Sequence, residues 1–202
     1  LPWLTPPPTG NVAKAHELLS ALGAIAMDGE KHVITPLGRK MALLPCHPRI
    51  SRMILSAQTP GMKGLACDIA AILEEKDPLA NENDTDLSLR ISLLRNARKK
   101  QSPGKWSRIA NIAKEYLRLA HASEDNSEVS SEEVGLLVAH AYPERIAMSI
   151  SNLGDFRLAS GSHAKIETSD PNSAQKWIAI ASMHSSPLQN SKVFLAAPVN
   201  IE

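Results

Sequence analysis

Aromatic side chains make up only 3% of these 202 residues, seven in all, and cysteine occurs twice. Cys46 and Cys67 do not form a CxxC, and the seven histidines show no ligand spacing around them, so neither a disulfide framework nor a metal centre is indicated. That usage fits a reducing cytoplasm. No uninterrupted apolar stretch approaches the roughly 20 residues needed to cross a bilayer, and no signal peptide is recognisable, so no membrane contact is expected. Also lacking are a GxxxxGKS or GxxxxGKT phosphate loop, GxGxxG, HExxH and GxSxG. These absences argue against autonomous catalysis, and no cofactor is expected to bind these residues.

What is present is enough to fold. With 43% apolar and 21% charged residues the bulk should be ordered, as one large or two to three small domains. The chain starts at Leu1 and runs at once into Pro-Trp-Leu-Thr-Pro-Pro-Pro, which reads as a piece of something longer. The net charge of +1 conceals strong segregation. Residues 66 to 87 carry one basic and seven acidic groups, whereas 88 to 118 carry nine basic groups and the single acid Glu115, a block of +8. Such a block suggests a polyanionic partner met over a restricted surface, or else a solvated helical hairpin that offsets its acidic neighbours.

Read in order, Asn11 can cap a first helix whose apolar period ends at Leu22 and Gly23. Residues 24 to 27 and 31 to 34 flank Asp28-Gly29-Glu30 and predict a hairpin, after which Thr35-Pro36 opens another helix. Helix, hairpin, helix is the tail of a winged-helix module, assigned to 1–46. From 47 to 150 the pattern is wholly helical and predicts a bundle. Pro60 and Asp77-Pro78 punctuate it, Ser102-Pro103-Gly104 separates helices at 87–100 and 105–121, and Ser130 with Glu133 forms a capping box. Residues 151–202 change character: Phe156-Arg157-Leu158, 177–183 and 193–199 read as strands, divided at Gly161, Asp170-Pro171-Asn172 and Ser185-Ser186-Pro187. Three or four strands are too few to close a five-stranded barrel, so a partial OB-like antiparallel β domain is expected. The fold class is therefore mainly α with a small β part.

Three segments carry a specific resemblance. Trp3-Leu4-Thr5-Pro6-Pro7-Pro8, Leu18-Leu19-Ser20-Ala21-Leu22-Gly23-Ala24 and the run from Ile34-Thr35-Pro36-Leu37-Gly38-Arg39 to Leu44-Pro45-Cys46-His47-Pro48-Arg49 resemble, in order and spacing, the region after the motor domains of DEAH-box helicases. Leu65-Ala66-Cys67-Asp68-Ile69 with Leu73-Glu74-Glu75-Lys76-Asp77-Pro78-Leu79, then Asp86-Leu87-Ser88-Leu89-Arg90 and Ala141-Tyr142-Pro143-Glu144-Arg145-Ile146-Ala147 look like the HrpB-type ATP-dependent helicases. The resemblance covers residues 3 to about 199. It implies a winged helix, a ratchet-type helical bundle and the start of an OB-like β domain, which with two RecA-like motor domains enclose one nucleic-acid strand, RNA more than DNA. It further implies that ATP and magnesium belong to those motor domains of the parent chain, which would be the enzyme, while these residues alone would be inactive.

Candidate strand-binding residues follow from chemistry. Arg90 and Arg98 lie within the apolar arc of the 87–100 helix, where arginines either snorkel or meet an anion, and a planar guanidinium at a bundle lip suits phosphate. Arg95, with Lys99 and Lys100, reads more simply as a solvated helix end. Arg108 and Arg118 occupy the polar half of the next helix, and Arg145 and Arg157 add cations further on. Among the aromatics, Trp106 and Tyr116 fall on a buried helix face, whereas Phe156 beside Arg157 is the candidate for base stacking.

Two other function classes compete. A winged-helix DNA-binding regulator needs a recognition helix rich in base-reading groups, yet the helix before the wing has Lys14 as its only basic residue. A protein-interaction scaffold would bind neither single strands nor duplex.

Overall fold

A computed structural model describes residues 5–80, 82, 84–101, 104–150, 153–184 and 191–201. The Trp3-Leu4 start of the resemblance, the Ser102-Pro103 break and Ser185-Ser186-Pro187 lie outside the described residues.

Helix α1 (Thr9–Ala21) starts ahead of the expected Asn11 cap, because the Pro8 carbonyl already accepts the amides of Asn11 and Val12. Its end is closed by bonds from the Gly23 amide to the Ser20 carbonyl and from the Ala24 amide to the Leu19 carbonyl. Strands β1 (Ile25–Asp28) and β2 (Lys31–Ile34) form the hairpin, with Asp28 opposite Lys31 across a two-residue turn. Helix α2 (Pro36–Ala42) is capped by Thr35, whose hydroxyl accepts the Gly38 amide and donates to the Gly23 carbonyl. A Cβ at Gly38 would stand 2.0 Å from the Ala24 carbonyl oxygen, so this contact between helix and hairpin requires glycine. Leu22, Ala24 and Met41 make the small core of this winged-helix part.

The bundle comprises α3 (Pro48–Ser56), α4 (Pro60–Glu74), α5 (Leu87–Lys100), α6 (Lys105–Ala120) and α7 (Ser131–Ala141). Its caps are those the sequence offers. Asp86 accepts the Ser88 amide, Ser130 accepts the Glu133 amide, and Pro60, expected as a break, sits in the first turn of α4 behind the Thr59 cap. Helix α4 crosses the middle, its small buried residues Ala66, Ala70 and Ala71 letting neighbours approach. Trp106 packs against this core, and Tyr116 is buried with its hydroxyl donating to Glu74.

The β region is complete rather than partial. Strands β3 (Ile146–Ser149), β4 (Asp155–Leu158), β5 (His163–Lys165), β6 (Trp177–His184) and β7 (Ser191–Pro198) close in the order β3-β4-β5-β7-β6, with β3 pairing back to β6. Five strands in this order make an OB-like barrel. The expectation of an unfinished, purely antiparallel sheet is corrected on two counts. β3 is hidden directly behind the Tyr142-Pro143 helix stop, and β5, only three residues long, pairs in parallel with β7. The first barrel strand thus begins ahead of residue 151. Phe156, Leu158, Ile166, Ile178 and Ile180 fill the barrel.

Barrel and bundle share one apolar interior: Ala179, Ala181, Leu195 and Ala197 of β6 and β7 belong to the bundle core. At Gly135 of α7 a Cβ would lie 1.8 Å from the Pro198 carbonyl oxygen, so the helix backbone rests directly on the end of β7. A second tie is polar. The buried Asp170 carboxylate accepts from the Thr85 amide (2.7 Å) and the Thr85 hydroxyl (3.0 Å), and the Ala196 amide donates to the Thr85 carbonyl.

Candidate nucleic-acid interface

The three arginines of α5 do not reach solvent. Arg90 is 1% exposed and pairs with Asp77 (3.2 Å) and Asp84 (2.9 Å), forming part of the wall of a cleft of about 480 Å³ between the 75–85 loop and the barrel. Arg95 pairs with Asp68 at 3.0 Å and donates to the Ser127 carbonyl at 2.9 Å. Arg98 closes on the other oxygen of Asp68 and donates to Asn126. Burial raises the Asp68 carboxyl above the usual carboxylate range, an effect the two guanidiniums beside it only partly offset. The anions these arginines meet are the protein's own carboxylates. The readings of Arg90 and Arg98 as lip residues, and of Arg95 as a solvated helix end, are corrected accordingly. The deciding signal was the acidic neighbourhood at 68, 77 and 84, which the charge blocks displayed without showing the pairing.

Helix α6 presents the remaining cations. Arg108 and Arg118 have side chains 76% and 72% exposed, each in a surface pair, with Glu75 (2.9 Å) and Glu115 (3.2 Å). Such pairs contribute little and exchange readily for another anion. Lys105 and Lys114 on the same helix, and Lys99 and Lys100 at the end of α5, are exposed as well.

Arg145 is partly committed: its guanidinium lies 4.7 Å from the centre of the Tyr142 ring and donates to the Ala181 carbonyl. Arg49 lies 4.8 Å from the same ring centre and pairs with Glu144, so this cluster knits α3 and α7 to the barrel.

Of the neighbours Phe156 and Arg157, the structure divides the roles. Phe156 is fully buried inside the barrel, which corrects its reading as a stacking residue, while Arg157 points outward and is exposed. An outward aromatic does exist nearby. Pairing places Trp177 of β6 beside Met148 of β3, Met148 beside Arg157 of β4, and Arg157 beside His163 of β5.

At the elbow between α2 and α3, Cys46 Sγ lies 3.2 Å from Ser51 Oγ, and His47 Nδ1 accepts the Arg49 amide. Burial pushes the Cys67 thiol up to about 12. Among the described residues no three His, Cys, Asp or Glu side chains converge as metal ligands would.

Comparison with known proteins gives this arrangement a context. The winged-helix part of the helicase-associated domain (HA2) matches residues 15–46. The chain is 31% identical over 201 residues to ATP-dependent RNA helicase HrpB of Escherichia coli, covering 99% of this chain and 22% of that protein. It is 38% identical over 79 residues to ATP-dependent RNA helicase HrpA of the same organism, which is 38% of this chain and 6% of the relative. A crystal structure of the E. coli DExH-box NTPase HrpB superimposes with a TM-score of 0.76 at 28% identity, over 98% of this chain and 22% of that one. The chain therefore spans about a fifth of HrpB. Over its whole length it is similar to the accessory region of HrpB-type DEAH-box helicases: an HA2 winged helix, a helical bundle and an OB-like barrel, in that order.

Proposed function

We propose that this chain is the strand-holding, non-catalytic unit of an ATP-dependent helicase of the DEAH-box, HrpB type, acting in the cytoplasm on single-stranded nucleic acid, RNA in preference to DNA. RecA-like motor domains of the same parent chain would bind ATP and magnesium; no phosphate-loop sequence occurs in these 202 residues to do so. The observation that carries the reading is the exposed cationic face of α6, on which Arg108 and Arg118 are held only by weak surface pairs. Phosphates displace such partners without unfolding anything. The α5 arginines instead fix the bundle that presents this face.

The test is fluorescence anisotropy of labelled single-stranded and duplex oligonucleotides against salt concentration. Contact with about three phosphates gives a log-log slope of roughly −2, at about −0.7 per contact, with little sequence preference. R108E/R118E flattens that slope and weakens binding. Tight preference for one duplex would establish a winged-helix regulator instead, and binding to neither form would leave a protein-interaction scaffold.

A further inference from the structure

The outer surface of the barrel is used unequally. On β6 and β7 it is buried against the bundle through Ala179, Ala181, Leu195 and Ala197, whereas the outward residues of β4 and β5 stay exposed. The row Trp177–Met148–Arg157–His163 runs across four adjacent strands on this open side. With strands about 4.8 Å apart it extends roughly 14 Å.

Its composition is unusual for a solvated sheet face. Trp177 is half-buried yet belongs to none of the hydrophobic clusters, Met148 is 38% exposed, and Arg157 has no carboxylate partner among the described residues. Tryptophan is on average among the well-buried residues, so an indole placed outside the core is available to a ligand. Indole, guanidinium and imidazole planes are the surfaces on which unpaired bases stack, and a thioether between them is soft and polarisable. Lys176, next to Trp177, and Lys165, on the following rung, are exposed cations for the backbone. A pitch of about 4.8 Å exceeds the 3.4 Å rise per base of duplex DNA, so the row suits splayed single bases rather than paired ones.

We propose that this row is a base-stacking platform for unpaired nucleotides, with Trp177 as its principal surface and Arg157 as the adjoining cation. The proposal rests on the strand-holding reading above and adds what that reading lacks, a contact to bases rather than to phosphate.

The test compares the whole chain's affinity for a single-stranded oligonucleotide about ten nucleotides long with that for an abasic sugar–phosphate oligomer of equal length. The expected result is at least about fivefold tighter binding of the base-bearing oligomer. Trp177→Leu brings the two affinities together, Trp177→Phe retains most of the difference, and R108E/R118E lowers both in proportion. In the W3F/W106F variant, where Trp177 is the sole tryptophan, emission is quenched by the base-bearing oligomer and not by the abasic one. Equal wild-type affinities, a preference that survives Trp177→Leu, or unchanged emission at saturation overturns the platform and leaves the phosphate-holding reading standing. Binding of neither oligomer overturns both.

Discussion

Asp68 of α4 and Arg95 of α5 face each other at 3.0 Å in the interior of the bundle, with Arg98 on the remaining carboxylate oxygen. Asp68 is 1% exposed, so its removal strands two guanidiniums away from water. Asp68→Ala is expected to cost about 3 to 5 kcal/mol in urea denaturation. Charge reversal of Arg90 or Arg98 should likewise lower the urea midpoint, whereas reversal of the exposed Lys99 and Lys100 should stay within about 0.5 kcal/mol. Equal effects at the two sets would contradict a structural role for the α5 arginines.

Phe156 and Trp177 make an opposed pair of tests, one ring inside the barrel and one outside. Phe156→Ala should destabilise by about 3 to 5 kcal/mol through a cavity in the barrel core. Trp177→Leu should change stability by about 1 kcal/mol or less. Thermal unfolding followed by circular dichroism distinguishes the two rings.

Gly135→Ala tests the seat of α7 on the barrel. Alanine ordinarily favours a helix interior over glycine by about 1 kcal/mol, but here the new methyl collides with the Pro198 carbonyl. Net destabilisation of about 1 to 3 kcal/mol is expected, and a raised Tm would show that α7 can shift without loss.

Closure of the barrel predicts hydrogen-exchange protection. Amides of β3, β4 and β6 in a dilute sample should exchange as slowly as those of α6 and α7, since every strand has a partner on both edges. Rapid exchange across these strands would mean that the barrel opens separately from the bundle.

His140 supplies a pH dependence. Burial, reinforced by nearby Arg52, holds its imidazole below the ordinary value of 6.5. The unfolded chain therefore binds this proton more readily, and the contribution of His140 to stability, complete above pH 6.5, is lost as pH falls through the depressed folded value. His140→Gln should flatten the decline in urea midpoint below pH 6.5 relative to the wild type.

Helix limits were legible wherever a cap and its amide lie within a few residues of each other. Thr35 with Gly38, Asp86 with Ser88 and Ser130 with Glu133 all bond as their spacing implies. The α1 start was misplaced because Pro8 begins the helix without a side-chain cap. Order and spacing of apolar and turn residues also sufficed for the family resemblance, which the whole-chain similarity to HrpB supports.

The candidate site was far less legible. A count of charges assigned Arg90, Arg95 and Arg98 to an outside anion, yet their partners are Asp77 and Asp84, 13 and 6 residues away, and Asp68, 27 and 30 residues away. Nothing local distinguishes an arginine that will meet phosphate from one that will meet a buried carboxylate.

By itself, then, the sequence determined the elements, their caps and the alternation that sends Phe156 and Arg157 to opposite faces of a strand, because each depends on backbone chemistry within a turn or a two-residue repeat. Tertiary structure alone decided which of those faces became the interior, that Ile146–Ser149 pairs with β6 to close the barrel, and which arginines remained exposed. Those outcomes depend on register and contact between segments far apart in the chain, where no local preference operates.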